Sequence, residues 1–329
     1  MLRWFSAMCA AFALLTSPFA SAASVHADLP IALSTDTGQI NGSLMMPSPG
    51  KKVPVVLIIA GSGPTDRDGN NRLAGTNNSL KMLAAALADG GIASVRYDKR
   101  GIGASMAPGM READMRFETY VNDAALWVAK LNADERFSGV AVVGHSEGSL
   151  IGMLASKGQS VRAFVSLSGP AQGASAILRQ QLRGKLPGDL AGRNDAILVS
   201  LEQGQLVRDV PAPLASLYRE SVQPYLISWF KYVPATELKA LKIPTLIVQG
   251  DTDIQVGVTE AKALKAANPD AELVIVDGMN HVLKTVPADH ARQVASYADP
   301  SLPLATGLST NLVRFLANVF TNADGSMVK

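Results

Sequence analysis

Apolar residues along this chain fall into short unbroken runs separated by stretches with helical spacing, and this rhythm sets the expected elements. Val55 to Ala60, Ile92 to Tyr97, Val140 to Val143, Val161 to Leu167, Thr245 to Gln249 and Leu273 to Val276 read as strands. Continuous apolar runs such as Val55 to Ala60 mark strands covered on both faces, the situation in a parallel sheet. Helical stretches lie between them. Leu80 to Asp89 is stopped by Gly90-Gly91, and Phe117 to Leu131 puts Val121, Ala124, Ala125, Val128 and Leu131 on one face. Val258 to Ala267 and Asn311 to Phe320 complete the set. Ahead of the first buried run, Ile31 to Leu33 and Ile40 to Met46 flank the turn Asp36-Thr37-Gly38 as an antiparallel hairpin, followed by a polar turn from Pro47 to Lys52. Alternation of this kind predicts an α/β fold: a mostly parallel sheet with helices on both faces and the hairpin at one edge.

The rhythm breaks between Gly169 and Ile243. No clear strand occurs there, and Pro187, Pro211, Pro213 and Pro224 interrupt a segment rich in Leu, Gln and Arg. A structureless loop of that length is implausible in a compact fold. The segment, at about 170–242, is therefore expected to be a helical cap inserted into a domain running from 23 to 329. It holds Tyr218, Tyr225, Trp229, Phe230 and Tyr232 in a chain that is only 5% aromatic. These rings either wall a pocket or fasten the cap to the sheet.

The most informative stretch is Val140 to Ser149. A valine-rich strand feeds into Gly144-His145-Ser146-Glu147-Gly148, and a small-residue helix follows from Ser149 to Ala155. Gly-x-Ser-x-Gly is a weak signal alone, but a buried strand before it and a helix after it are the context of a nucleophile elbow, where flanking Cβ atoms would clash in the sharp reversal. A serine hydroxyl reacts at neutral pH only with a base in reach and an acid to hold that base. Of four histidines, His26 precedes the fold and His145 is the elbow's own variable position, pointing into the helix turn. The chain order Ser, then Asp or Glu, then His leaves His281 and His290. His281 follows the Leu273 to Val276 strand by a few residues, at the carboxyl edge of the sheet, whereas His290 lies in a polar stretch and reads as a solvated helix residue. The acid belongs at the end of the preceding strand, in Gly250-Asp251-Thr252-Asp253. Both aspartates suit the chemistry. Asp253 is the choice because the acid normally follows the strand's terminal glycine by three residues, with Asp251 as a turn or supporting group. A developing oxyanion needs two donors: the N–H of Glu147, and one from the Gly61-Ser62-Gly63-Pro64 loop, expected to be the N–H of Ser62.

Composition narrows the remaining options. At 329 residues, 47% hydrophobic and 18% charged, the chain can bury a large core. A net charge of +2, without runs of either sign, gives no nucleic-acid footprint. The single cysteine, Cys9, lies within an N-terminal segment that reads as a signal peptide over residues 1–22: Arg3, an apolar stretch from Phe5 to Leu15, then Ala20-Ser21-Ala22. That stretch is too short to span a bilayer, which takes about 20 residues. Export to a bacterial periplasm or medium is expected, with no stable membrane insertion and a mature chain without thiols. No cofactor or metal is expected, since the Asp251/Asp253 pair lacks further ligands at calcium spacing and the glycine of Asp66-Arg67-Asp68-Gly69 comes too early for an EF-hand loop.

Ala60 to Gly69, Tyr97-Asp98-Lys99-Arg100-Gly101-Ile102-Gly103-Ala104-Ser105, Gly144 to Gly148, and Gly250 through Val256 with His281 together resemble an α/β-hydrolase of the serine esterase and serine aminopeptidase-like group. The resemblance implies the α/β-hydrolase fold with canopy helices, Ser146, Asp253 and His281 as catalytic residues, and Ser62 and Glu147 as oxyanion donors. It also implies a bracing role for Asp98 and Arg100. The activity expected is hydrolysis of carboxylic esters of small molecules through an acyl-enzyme. The alternatives are a serine aminopeptidase or other amide hydrolase acting on short peptides, for which Glu202, Asp209 and Glu220 are the carboxylates at hand, and, in a different class, a non-catalytic binding protein on a hydrolase scaffold.

Overall fold

The computed structural model describes residues 26–47, 50, 52–106 and 111–325; the segment read as a signal peptide lies outside the described residues, as does part of the turn before the first buried strand. The hairpin forms from β1 (Asp28–Thr35) and β2 (Gly38–Met45), paired antiparallel, and β2 then pairs antiparallel with β4 (Ala93–Tyr97). From there the sheet is parallel through β3 (Val53–Ile59), β5 (Phe137–His145), β6 (Val161–Leu167), β7 (Thr245–Gly250) and β8 (Glu272–Val276). The spatial order is β1-β2-β4-β3-β5-β6-β7-β8.

Strand β3 explains why the sheet is covered twice. Val55, Leu57 and Ile59 face one core and Val56, Ile58 and Ala60 the other, all at most 2% exposed. The first core is closed by α2 (Phe117–Asn132), α3 (Glu147–Ala155) and α9 (Val258–Ala267), the second by α1 (Ser79–Asp89) and α11 (Thr306–Gly325). Helix α2 buries Ala124, Val128 and Leu131 as its spacing predicts, together with Phe117 and Trp127, while Val121 and Ala125 are only partly covered.

Between β6 and β7 the chain forms α4 (Ala174–Leu182), α5 (Gly188–Glu202), α6 (Ala215–Tyr218), α7 (Gln223–Trp229) and α8 (Pro234–Ala240). Ile197, Leu198, Leu201, Leu214, Tyr218 and Leu226 give this cap a small core of its own. Three of the cap aromatics fasten it to the sheet: Phe117 of α2 meets Tyr225, Trp229 and Tyr232 at ring-centroid distances of 6.1, 5.9 and 5.6 Å. Tyr218 instead bonds Asn194 inside the cap at 2.7 Å, and Phe230 packs on the cap core. Polar ties support the seam, including Arg219 and Ser221 on Glu112, and Tyr232 on Glu118 at 3.0 Å.

Two elements differ from the periodicity. α10 (His290–Ser296) escapes it because it is two turns long and buries only Gln293 and Ser296. α11 begins five residues before the apolar spacing suggests, with Gly307 in its first turn, where an added Cβ would come within 3.2 Å of Val276.

Candidate active site

Four loops converge at the carboxyl ends of β3, β5, β7 and β8. At the end of β5, Ser146 adopts φ 54° and ψ −120°, a left-handed conformation that a residue with a Cβ takes up only at a cost. The turn is tight because the glycines make it so. A Cβ on Gly144 would lie 2.2 Å from the Gly148 carbonyl oxygen, and one on Gly148 would lie 2.3 Å from that of Ile59. From His145 to Ala155 nearly every residue is buried, yet Ser146 is partly exposed. The reversal thus lifts one hydroxyl out of a packed corner. The N–H of Ser146 donates to the Leu167 carbonyl at 2.9 Å, anchoring the turn to β6.

His281 reaches the same corner from the loop after β8. Its Nδ1 bonds Asp253 Oδ2 at 2.8 Å, with the side chains 6% and 0% exposed. Since the carboxylate only accepts, Nδ1 carries the proton of this bond. Asp253 is fixed in turn by Gln249 Nε2 at 3.0 Å and by the N–H groups of Gln255 and Val256 at 2.8 and 3.0 Å. Burial alone would raise its pKa, but the His281 ring and these donors hold it below the ordinary carboxylate value. Asp251 does not touch His281; it is exposed and accepts the Gly278 N–H at 2.7 Å, bracing the loop that carries the histidine. That loop is pressed onto β7, where a Cβ on Gly250 would stand 1.8 Å from the Met279 carbonyl oxygen. It is also pinned by Asn280, fully buried, which bonds Ser296 Oγ of α10 at 2.7 Å. Among the described residues no hydrogen bond joins Ser146 to His281. The two loops are joined by His145, the neighbour of Ser146, whose Nε2–H donates to the His281 carbonyl at 2.8 Å with the two rings 4.9 Å apart.

His145 therefore faces the histidine loop and does not point into its own helix turn. Burial, followed by the neighbouring His281, pushes its pKa down to about 3, so it stays neutral. His290 is exposed at the start of α10, away from the corner, and His26 bonds Asp89 at the end of α1, 2.9 Å away.

The loop after β3 passes directly under the serine: a Cβ on Gly61 would be 3.2 Å from Ser146 Cβ. Among the described residues, neither the Ser62 N–H nor the Glu147 N–H donates to a backbone acceptor. Beneath them Lys99 Nζ donates to the Gly61 carbonyl at 2.6 Å and to Glu147 Oε2 at 2.7 Å, and Tyr225 Oη donates to Glu147 Oε1 at 2.5 Å. Sequence reasoning used only the backbone of Glu147 and passed over Lys99. The available signal was that a charged residue in an otherwise apolar elbow needs a partner of opposite sign. Asp98 and Arg100, flanking Lys99, brace other elements: Asp98 takes the N–H and guanidinium of Arg67 at 2.8 and 2.7 Å, and Arg100 pairs with buried Asp123 of α2 at 2.5 Å. Asp66 caps its own turn, accepting from the N–H groups of Asp68 and Asn70 at 2.9 Å. A cleft is lined by Pro64, Asp66, Arg72, Ile102 and Met106, and neither Ser146 nor His281 lines it. Among the described residues, no cluster of three or more His, Cys, Asp or Glu is placed to hold a metal, and no helix is long and apolar enough to cross a membrane.

An elbow serine at the centre of a mostly parallel sheet, with a histidine–aspartate pair beyond it and a helical cap above, defines an α/β-hydrolase fold. Comparison with known proteins agrees. Residues 71–209 match the family model described as serine aminopeptidase, S33, a span that includes Ser146 but neither Asp253 nor His281. Esterase EstD of Thermotoga maritima is 24% identical over 261 residues, which are 77% of this chain and 61% of that relative. Among solved structures, Est1E from Butyrivibrio proteoclasticus with ferulic acid bound superposes with a TM-score of 0.60 at 20% identity, covering 87% of this chain and 99% of the other. The Pyrococcus furiosus esterase Pf2001 gives 0.55 at 16% identity, covering 90% and 93%. The chain has the α/β-hydrolase fold, and over residues 71–209 it is similar to the serine aminopeptidase family.

Proposed function

We propose that this chain is an exported serine hydrolase that cleaves carboxylic esters of small molecules through an acyl-enzyme. Ser146 Oγ attacks the ester carbonyl, and His281 Nε2 takes its proton and passes it to the departing alcohol. Asp253 keeps the ring in the required tautomer and stabilises the imidazolium that forms. The N–H groups of Ser62 and Glu147 receive the oxyanion of each tetrahedral intermediate. Water, deprotonated by the same histidine, then releases the acid and restores Ser146. The observation that carries this reading is the buried Asp253–His281 pair, 2.8 Å apart, set beside a serine held at φ 54°.

Ester over amide is favoured by the names of the similar proteins and by two of the three cap carboxylates. Glu202 and Asp209 are paired with Arg179 and Arg193 at 2.6 and 3.0 Å, which leaves them poorly placed to hold a substrate's α-amine. Amide hydrolysis remains the second reading because the matched family model is that of a serine aminopeptidase. Export rests on the N-terminal pattern over residues 1–22 and predicts a mature chain starting after Ala22.

A fluorophosphonate probe should label the wild-type protein and leave Ser146→Ala unlabelled, and p-nitrophenyl esters should turn over faster than amino-acid p-nitroanilides. An unlabelled wild-type protein removes the enzymatic reading, and faster anilide turnover replaces the esterase with a peptidase. Amino-terminal sequencing of protein from a periplasmic or culture fraction tests export; an intact Met1 on cytoplasmic protein overturns it.

A further inference from the structure

The Gly-x-Ser-x-Gly pattern leaves the residue after the serine unspecified, asking only for its backbone N–H. Here that residue is a glutamate whose side chain is 2% exposed, packed against a lysine that is 1% exposed. A buried ion pair is weak support for stability, because desolvation offsets much of its attraction. This one also touches three parts of the site at once.

We propose that Lys99, Glu147 and Tyr225 form a tether that aims both oxyanion donors and makes their alignment depend on how the cap is seated; the inference rests on the esterase reading above. The first step is peptide geometry. The Gly61 carbonyl and the Ser62 N–H belong to one planar trans unit and point in opposite directions. Holding the carbonyl on Lys99 Nζ at 2.6 Å therefore turns the Ser62 N–H away from the lysine. The second step is the other donor. The same Nζ holds Glu147 Oε2 at 2.7 Å, and Glu147 supplies the second N–H from the first position of α3. One ammonium thus spans the residues that carry both donors. A lysine suits the position, since it offers three N–H groups from a compact centre, and the Tyr120 ring lies under the charge at 5.0 Å.

The third step links the cap. Glu147 Oε1 accepts the hydroxyl of Tyr225 on α7 at 2.5 Å. Burial, with Glu147 beside it, raises the phenol's pKa well above its ordinary value, so it acts as a neutral donor. Helix α7 is located by its own bonds: Ser228 Oγ accepts the Phe117 N–H at the start of α2 and donates to the Tyr225 carbonyl, both at 2.7 Å. A cap displaced from α2 pulls on Glu147, and through Lys99 on the Gly61 peptide. Lys99, Glu147 and Tyr225 are positioning residues in this scheme; only the two N–H groups meet the oxyanion.

The test uses the full chain with two variants. Lys99→Met combined with Glu147→Gln removes the tether without leaving a buried charge unpaired, and Tyr225→Phe removes one oxygen. For each, kcat and KM on p-nitrophenyl acetate are measured beside the inhibition constant of phenylboronic acid, whose tetrahedral serine adduct places an oxygen in the oxyanion site. Loss of a whole donor lowers kcat by about 10²–10³-fold, so misaiming should lower it by about 10–100-fold in the double variant and about 3–10-fold in Tyr225→Phe. KM should stay within about threefold, and the boronate constant should rise in step with the fall in kcat. Wild-type kcat and boronate affinity in a folded double variant overturn the proposal, as does a fall in kcat with boronate affinity unchanged. Should the double variant fail to fold, Tyr225→Phe decides: wild-type values for both quantities overturn the tether. A wild-type protein that turns over no ester and takes no fluorophosphonate brings down the esterase reading itself, whereas an active wild type with indifferent variants brings down only the tether.

Discussion

Replacing Asp253 by Asn tests the acid's identity and its mechanism together. The carboxylate accepts four bonds, from His281 Nδ1, Gln249 Nε2 and the N–H groups of Gln255 and Val256. An Asn oxygen can keep the two backbone donors, which turns its NH2 toward His281 and Gln249. His281 can meet that NH2 only by giving up the proton on Nδ1 and carrying it on Nε2, the nitrogen that the proposed mechanism needs to accept from Ser146. In triads of this kind the wrong tautomer lowers kcat by about 10⁴-fold, equivalent to about 5 kcal/mol of transition-state stabilisation. Stability changes far less, by about 1–3 kcal/mol for the mismatch at Gln249, so the variant stays folded. Asp251→Asn is the control: an Asn oxygen can still accept the Gly278 N–H, and an exposed change of this kind is worth about 0.5 kcal/mol, roughly a twofold effect on kcat. The assay is kcat on p-nitrophenyl acetate beside urea unfolding of each variant. An Asp253→Asn protein within tenfold of wild type, or a larger loss in Asp251→Asn, would refute the reasoning.

Three further outcomes follow from the packing. His145 has a folded pKa lowered to about 3 from 6.5, so its contribution to stability is fully present above 6.5 and is lost as pH falls toward 3, by about 1.4 kcal/mol per unit. His145→Gln keeps a donor for the His281 carbonyl and removes that titration. Urea midpoints from pH 7 to 4 should fall less steeply in the variant, and equal slopes would contradict the burial argument. Gly250→Ala drives a Cβ into the Met279 carbonyl and should cost about 3 kcal/mol in urea unfolding while lowering kcat through the displaced His281 loop; an unchanged midpoint would show that the approach can relax freely. Phe117→Ala removes the ring on which Tyr225, Trp229 and Tyr232 pack and should cost about 3–5 kcal/mol, with proteolytic cleavage within 174–240 becoming faster; a cleavage rate matching wild type would mean that other contacts hold the cap.

The central strands were legible because double coverage favours unbroken apolar runs, which is why Val140 to Val143 reads as it folds, and Val161 to Leu167 does so despite exposed Arg162 and buried Ser166. The elbow was legible for another reason: Gly144 answers a clash with Gly148 only four residues on, although Gly148 itself answers to the distant Ile59 carbonyl. The offset of Asp253 from Gly250 and the place of His281 after β8 also follow from strand ends, and these two residues meet in the structure. The boundaries within the cap were not legible. Helices α6, α7 and α8 span only four to seven residues and are held by contacts with other elements, α7 on α2 and α8 on α3 and α9, in place of their own periodicity. Prolines that read as interruptions turn out to begin elements: Pro187 precedes α5 and Pro224 lies in the first turn of α7, where a missing N–H leaves no bond unmade. Contacts between distant charges were equally hidden. Lys99 and Glu147 are 48 positions apart, and His145 meets the His281 carbonyl across 136. A spacing rule confined to one element reaches neither.

Those long-range contacts explain how a strained serine is kept in place. A left-handed conformation at Ser146 costs on the order of 1–3 kcal/mol and persists only where the surroundings leave the chain no alternative. The surroundings are backbone on every side. The Ile59 and Ala60 carbonyls close on Gly148, Gly61 passes beneath the serine, and the Leu167 carbonyl holds its N–H. Backbone contacts resist relaxation better than side-chain contacts, since a rotamer change cannot relieve them. The polar groups around this corner then adjust orientation and not position: His145 sets the histidine loop, Asp253 sets the ring, and Lys99 sets the Gly61 peptide. Rigidity therefore comes from the glycines, and aim comes from the buried polar pairs. A change in either class should leave a different trace. Loss of a glycine should lower stability and activity together, and loss of a polar partner should lower activity by far more than its share of stability.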